Sequence, residues 1–277
     1  MVPDLLFTCM HYRYTIMAGV SMNKNTIPVT HILWITALVL LMLLAGALYA
    51  GDDDYQEYMD LILTHAAEGE HAEAIALYRD LEPPEDFRYE HWYNFGVLLF
   101  DAGRYVESAD AFARAIDLAP RSENALFNAG TALLNAGEYR EAEELFSQLL
   151  EIADDPRGFL NRGNARYAQQ DLSRAAADYR QAIELNPSLP DAHYNYGNLL
   201  YDQQEWMEAE QAFTRAIEID AGFTEARFNR GNVRMQLGLY AAALEDYQSV
   251  VARDPDNEDA LQNAAIAEQL IEQGDNE

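Results

Sequence analysis

The sequence predicts an all-α chain, an α-solenoid of stacked helical hairpins, and three observations lead there. A pattern of small and large residues returns every 33 or 34 positions from about Tyr55 to Asn257. Five glycines mark it: Gly96, Gly130, Gly163, Gly197 and Gly231, at separations of 34, 33, 34 and 34. Twelve positions after each stands a small residue (Ser108, Ala142, Ala175, Ala209, Ala243), and four further on an aromatic (Phe112, Phe146, Tyr179, Phe213, Tyr247). A period of this length belongs to chains built from one supersecondary unit, which buries its apolar face only against its neighbours.

One period, 190–223, shows the elements. Tyr196, Leu199 and Leu200 recur at helical spacing over 191–203, and Ala209, Ala212, Phe213, Ala216 and Ile217 do so over 207–219. The polar stretch 202–205 is short enough to join two antiparallel helices. Gly197 and Ala209 are expected where those helices cross most closely, with Phe213 filling the space toward the next hairpin. Pro120, Pro187 and Pro255 follow the second helix of their repeats, where they cannot continue it. In repeat two the same reading predicts helices near 89–102 and 106–119.

These residues resemble the tetratricopeptide repeat family. The match includes Trp92-x2-Phe95-Gly96-x2-Leu99, Ser108-x3-Phe112-x2-Ala115 and Pro120, and continues through Gly163, Ala175, Tyr179, Ala182, Pro187 and Gly231, Ala243, Tyr247, Val250, Pro255. The resemblance covers the chain after residue 54. It implies a right-handed superhelix of six repeats, 55–88, 89–122, 123–155, 156–189, 190–223 and 224–257, closed by a capping helix over 258–272. The first repeat keeps Gly69, Ala74 and Tyr78 but has Ile62 in place of the glycine and Pro83-Pro84 at its end, so it reads as a divergent cap. The third is one residue short, which predicts a tighter junction near 154–156.

Ahead of the repeats, residues 32–50 carry no charge. At ~1.5 Å rise per residue, nineteen of them nearly span a ~30 Å hydrocarbon layer. Arg13 and Lys24 lie before this run and Asp52-Asp53-Asp54 after it. This asymmetry predicts an anchor in the cytoplasmic (inner) membrane with the repeats on the extracytoplasmic side. A cleaved signal peptide is the alternative, since the apolar core over 32–44 is followed by Ala45-Gly46-Ala47; the repeats would then be periplasmic. Ala47 stands where a lipobox needs cysteine, so lipid attachment is not expected. Within the N-terminal segment 1–31, residues 1–21 are unlike a targeting sequence, and Met22-Asn23-Lys24 would open a conventional leader, so the start at Met1 reads as too early.

After residue 50 there are 16 arginines, no lysine and 46 acidic residues, a net charge of −30. Nucleic-acid binding requires a basic footprint and is excluded. Three readings of the acidity stay open: a solvated helical surface, adaptation to a saline habitat, or a basic partner. The one cysteine, Cys9, precedes the repeats, so neither a disulfide nor thiol chemistry is expected there.

No constellation carries catalysis. His65, His71, His91 and His193 do not make a metal-ligand spacing, and no Gly-rich phosphate loop, Gly-x-Ser-x-Gly elbow or Cys-x-x-Cys occurs. Neither a metal nor a cofactor is expected.

Asparagine, in contrast, recurs in register. Asn94, Asn128, Asn161, Asn195 and Asn229 each stand two residues before the glycine, and Asn263 continues the series; Asn164, Asn198 and Asn232 follow the glycine in repeats four to six. The family resemblance implies that first helices line a concave groove, where an amide can both donate to and accept from an extended peptide backbone. The alternative is that neighbouring helices satisfy these amides. Tyr93, Phe127, Leu160, Tyr194 and Phe228 flank them, and one turn on come Phe100, Leu134, Tyr167, Tyr201 and Met235. These are groove residues or core residues. The expected groove thus comprises the eight asparagines from Asn94 to Asn232 with Tyr93, Phe127, Tyr167, Tyr194, Tyr201 and Phe228. Chaperone-binding members of the family clamp a carboxylate with basic groove residues; only Arg157 is basic here, so that specificity is not expected.

Arg162 and Arg166 recur as Arg230 and Arg234, and the same two repeats carry Asp178 and Asp246 before the aromatic. The co-occurrence predicts intra-hairpin pairs Arg162–Asp178 and Arg230–Asp246, the alternative being a site for an anionic ligand. The function expected is a non-catalytic, membrane-tethered scaffold binding a protein segment. The other reading is a fixed subunit of an envelope assembly, because the end of the chain from Asp256 to Asn263 resembles repeat proteins of bacterial aerotolerance operons.

Overall fold

In a computed structural model the described residues are 53–274, apart from 82, 84, 86 and 87. The proposed anchor at 32–50 lies outside them. Among the described residues the regular structure is helical and no helix is long and apolar enough to cross a membrane. Thirteen helices follow in order: α1 Asp53–Glu68, α2 His71–Asp80, α3 Arg88–Asp101, α4 Tyr105–Leu118, α5 Glu123–Ala136, α6 Tyr139–Leu150, α7 Pro156–Ala168, α8 Leu172–Leu185, α9 Pro190–Asp202, α10 Trp206–Ile219, α11 Thr224–Gln236, α12 Tyr240–Val251 and α13 Glu258–Gly274. They form two compact bodies, one ending at Leu145 and the other beginning at Phe146, so the boundary falls inside α6.

Local chemistry places the helix ends. Asp155 caps α7 by accepting from the Arg157 backbone N–H at 2.8 Å, and Pro156 opens the helix where its missing N–H costs nothing. Ser122 caps α5 and Asp171 caps α8 in the same way. Within each hairpin the turn residue sits in the left-handed region: Gly69, Gly103 and Gly137 in the N-terminal body, Gln170, Gln204 and Gly238 in the C-terminal body. The junction after repeat three is longer than predicted. It runs over five residues, 151–155, against four between α4 and α5, α8 and α9, or α10 and α11. The missing residue comes from α6 itself, which stops at Leu150.

The glycine–aromatic period is a packing lock inside one hairpin. A Cβ on Gly163 would lie 2.6 Å from the Tyr179 ring, and one on Gly197 would lie 2.7 Å from Phe213. The glycine therefore opens a slot for the aromatic sixteen residues later, and that ring packs back onto its own hairpin rather than only toward the next one. Phe213 also shares a core cluster with Ala226 and Val233 of the following repeat, so each ring ties two hairpins together. Phe112, Phe146, Tyr179, Phe213 and Tyr247 are all essentially inaccessible, each burial contributing about 2–3 kcal/mol. Where Ile62 replaces the glycine, Tyr78 stacks instead on Phe95 of α3, with centroids 5.0 Å apart.

Candidate functional site

In the C-terminal body the asparagines form a ladder between first helices. Asn195 of α9 donates to Asn164 Oδ1 of α7 at 2.8 Å, Asn229 of α11 to Asn198 Oδ1 of α9 at 2.9 Å, and Asn263 of α13 to Asn232 Oδ1 of α11 at 3.1 Å. The donor is the amide two residues before the glycine of its repeat, or before Ala265 in α13, and the acceptor is the amide just after the previous repeat's glycine. Tyr179 and Tyr247 donate to the same Asn164 and Asn232 oxygens at 2.9 Å. These bonds draw α7, α9, α11 and α13 into one wall, and each amide keeps a half-buried position on it.

The ladder carries structure as well as offering a surface. Its Nδ2 groups are committed to the neighbouring hairpin, which is the alternative reading for Asn195 and Asn229. Asn161 and Asn94 are also half-buried. Tyr93 and Asn128, expected in the groove, lie in the interior of the N-terminal body. Asn128 donates to the Tyr93 hydroxyl at 2.8 Å, and both side chains are less than a tenth exposed. Burial, reinforced by nearby Tyr89, raises the Tyr93 pKa well above its ordinary value and keeps the phenol neutral. Leu160 likewise belongs to the core.

The remaining aromatic positions are half-buried on first helices: Phe127, Tyr167, Tyr194, Tyr201 and Phe228. The Tyr167 hydroxyl donates to Asp202 at the end of α9, and burial, followed by that carboxylate, pushes its pKa to about 12. Tyr194 accepts from Asn229 at 3.3 Å and packs 4.8 Å from the Phe223 ring. Tyr201 meets Trp206 edge-on at 5.1 Å, and Phe228 leans on Tyr247 at 5.7 Å. Each ring thus contributes one side to the core and leaves part of its surface on the wall.

The arginine–aspartate pairs form as predicted and extend further. Arg162 grips Asp178 through Nε at 3.0 Å and a terminal nitrogen at 2.8 Å, and Arg166 adds a bond to the same carboxylate at 2.8 Å. Arg230 and Arg234 repeat this around Asp246. Each first arginine also reaches a hydroxyl on the preceding second helix, Ser147 or Thr214. This link between hairpins was not legible from the pattern of arginines and aspartates. The side chains of Asp178 and Asp246 are only 4% exposed, so these arginines are engaged internally instead of forming an open anion site. Arg157 is held by Asp155 at 2.7 Å. Among the described residues no His/Cys/Asp/Glu group is arranged to hold a metal.

The architecture agrees with comparisons to known proteins. Profiles described as tetratricopeptide repeat match residues 99–159, 197–258 and 228–268, and one described as TPR repeat matches 163–204. The chain belongs to the tetratricopeptide repeat family. No curated protein sequence matches it. Among solved structures it is similar to MamA 41-end from Desulfovibrio magneticus RS-1, with TM-score 0.56 and 21% identity over 63% of this chain and 99% of that one. It is also similar to YrrB, described as a TPR protein with an unusual peptide-binding site (TM-score 0.53, 22% identity, 64% and 92% coverage). A third similar structure is the APC/C hetero-tetramer Cut9–Hcn1 (TM-score 0.60, 13% identity, 85% and 46% coverage). At these identities the likeness is one of fold. Such repeats are interaction scaffolds, generally without catalytic activity.

Proposed function

We propose that this protein is a non-catalytic scaffold that holds an extended segment of a partner protein on the first-helix wall of its repeats. The wall of α7, α9, α11 and α13 carries the proposal, because it presents half-buried tyrosines beside a ladder of half-buried amides, side chains able both to donate to and to accept from an extended backbone. The binding residues are Asn161, Asn164, Asn195, Asn198, Asn229 and Asn232 with Tyr167, Tyr194, Tyr201 and Phe228; Asn94 and Phe127 extend the same role to the N-terminal body. Residues 32–50 tether the chain to the cytoplasmic membrane, with the repeats outside; the charge difference across that run supports the orientation.

A pull-down from solubilised membranes, comparing the parent chain with Tyr167→Ala/Tyr201→Ala, tests the groove. A partner lost by the folded double variant is expected, and a partner retained in full overturns the site. A phosphatase fusion after residue 60 is expected to be active; an inactive one, with an active cytoplasmic reporter at the same site, overturns the orientation.

A further inference from the structure

Resting on that groove reading, we infer that the segment held by the C-terminal wall is cationic, a stretch of partner chain with arginine or lysine interleaved with aromatic or apolar residues. From Phe146 onward the chain has ten arginines, no lysine and 24 acidic residues. All ten arginines are bonded within the body. Arg157, Arg162, Arg166, Arg174, Arg215, Arg230 and Arg234 hold carboxylates, while Arg180, Arg227 and Arg253 hold backbone carbonyls. An anionic segment would have to compete with these internal partners for a cation. A cationic segment meets a surplus of carboxylates.

That surplus borders the wall. Asp191, Glu225 and Asp259 are the second residues of α9, α11 and α13, and Asp202 ends α9. An acid in the first turn of a helix has a local reason, the helix dipole. The dipole does not explain why every cation of the body is engaged elsewhere. Asp191 is half-buried with Asp220 as its electrostatic neighbour, and burial, then that second carboxylate, raise its pKa. Packed helices lie ~8–10 Å apart, which a polyproline-II-like extended chain covers in about three residues at ~3.1 Å each, the repeat after which its side chains return to the same face. Cations at every third position of such a chain would therefore meet successive acids, beside the half-buried rings of Tyr167 and Tyr201.

Panning a displayed library of random dodecapeptides against the full-length protein in detergent tests this, with counter-selection on Tyr167→Ala/Tyr201→Ala to keep groove-dependent binders. Should circular dichroism show the double variant unfolded, Met235→Arg on the same wall replaces it. The expected binders carry net positive charge. Asp191→Asn/Glu225→Gln/Asp259→Asn is expected to weaken them about tenfold or more at low salt. Glu184→Gln/Glu208→Gln/Glu245→Gln, which removes as much charge from α8, α10 and α12, is expected to change affinity less than twofold. Groove-dependent binders that are neutral or acidic, or an equal response to both triple variants, overturn the cationic inference and leave the groove standing. A selection with no groove-dependent binder overturns both.

Discussion

The two bodies use one repeat plan with different cement. In the N-terminal body rings dominate the packing: Tyr78 of the first hairpin lies on Phe95 and His91 of the second, and Tyr93 packs on Phe112 of its own hairpin while accepting from Asn128 of the next. In the C-terminal body a ladder of amides and two three-membered arginine–aspartate networks are added to the same glycine–aromatic lock. The difference teaches that the repeat pattern fixes the hairpin, while the residues between its consensus positions decide what joins one hairpin to the next. Ring contacts hold no ion pair to lose, whereas a buried ion network fails when one partner is removed, and this asymmetry can be broken experimentally.

The largest effect is expected at Asp178. Its replacement by alanine leaves Arg162 and Arg166 largely buried without their shared carboxylate, a loss of about 3–5 kcal/mol for a buried pair. Asp246→Ala should behave alike. Chemical denaturation of the purified chain, read by hydrogen exchange over 156–274, checks it. A loss below about 1 kcal/mol would mean that packing holds these hairpins with little help from the buried ion network.

Acid should strike the N-terminal body more strongly. His91 is buried against Tyr78 and Trp92, with its Nδ1 unpaired, and burial lowers its pKa from 6.5 to about 4. The folded state accepts only the neutral ring. Stability is therefore complete above the unfolded value of 6.5 and falls as pH drops toward 4, by about 3 kcal/mol in all. His193 of the C-terminal body is shifted in the same direction by burial, but its Nε2 lies 3.1 Å from the Pro187 carbonyl, a bond that opposes the shift. Hydrogen exchange at pH 7 and pH 4.5, corrected for intrinsic rates, should show 88–101 loosening first. His91→Phe should remove most of that pH dependence; an unchanged acid response in the variant would assign it to other groups.

Much of this was legible in the sequence, and the omissions have a physical pattern. Period, helix positions and the pairs Arg162–Asp178 and Arg230–Asp246 could be read because they rest on spacing within one hairpin. The helices expected near 89–102 and 106–119 are Arg88–Asp101 and Tyr105–Leu118. Burial of Tyr93 and Asn128 was not legible, because the stripe flanking a helix crossing looks the same whether it faces core or groove. The amide ladder was visible as a series, but the direction of each bond depends on how one hairpin is offset from the next. The ladder suggests a test of moderate size: Asn195→Ala removes its bond to Asn164 and should cost about 0.5–1.5 kcal/mol, while Asn229→Ala removes bonds to both Asn198 and Tyr194 and should cost at least as much. Asn94→Ala is the matched change on the ring-built side. Equal costs at Asn94 and Asn229 would show the two bodies joined more similarly than their contacts imply.

The smallest effect concerns the hairpin turns, where the bodies share a geometry and differ in residue. Gly103 and Gln204 occupy the same repeat position, with φ of 74° and 61°. Their hydrogen bonds coincide as well: Gly103 N–H reaches Phe100 O and Arg104 N–H reaches Leu99 O, while Gln204 and Glu205 reach Tyr201 O and Leu200 O, all at 2.9 Å. This is the helix-ending arrangement that favours glycine. A Cβ on Gly103 would meet nothing within 4 Å, so space is not the issue and only the backbone conformation is. Left-handed backbone costs a residue with a side chain about 1 kcal/mol, part of which glycine returns through its freer unfolded chain. Gln204→Gly and Gln170→Gly should each stabilise the C-terminal body by a few tenths to about 1 kcal/mol. Gly103→Gln should destabilise the N-terminal body by a similar amount. Thermal melts of the three variants decide it, and a destabilised Gln204→Gly would show that the glutamine side chain makes a compensating contact that its glycine counterparts lack.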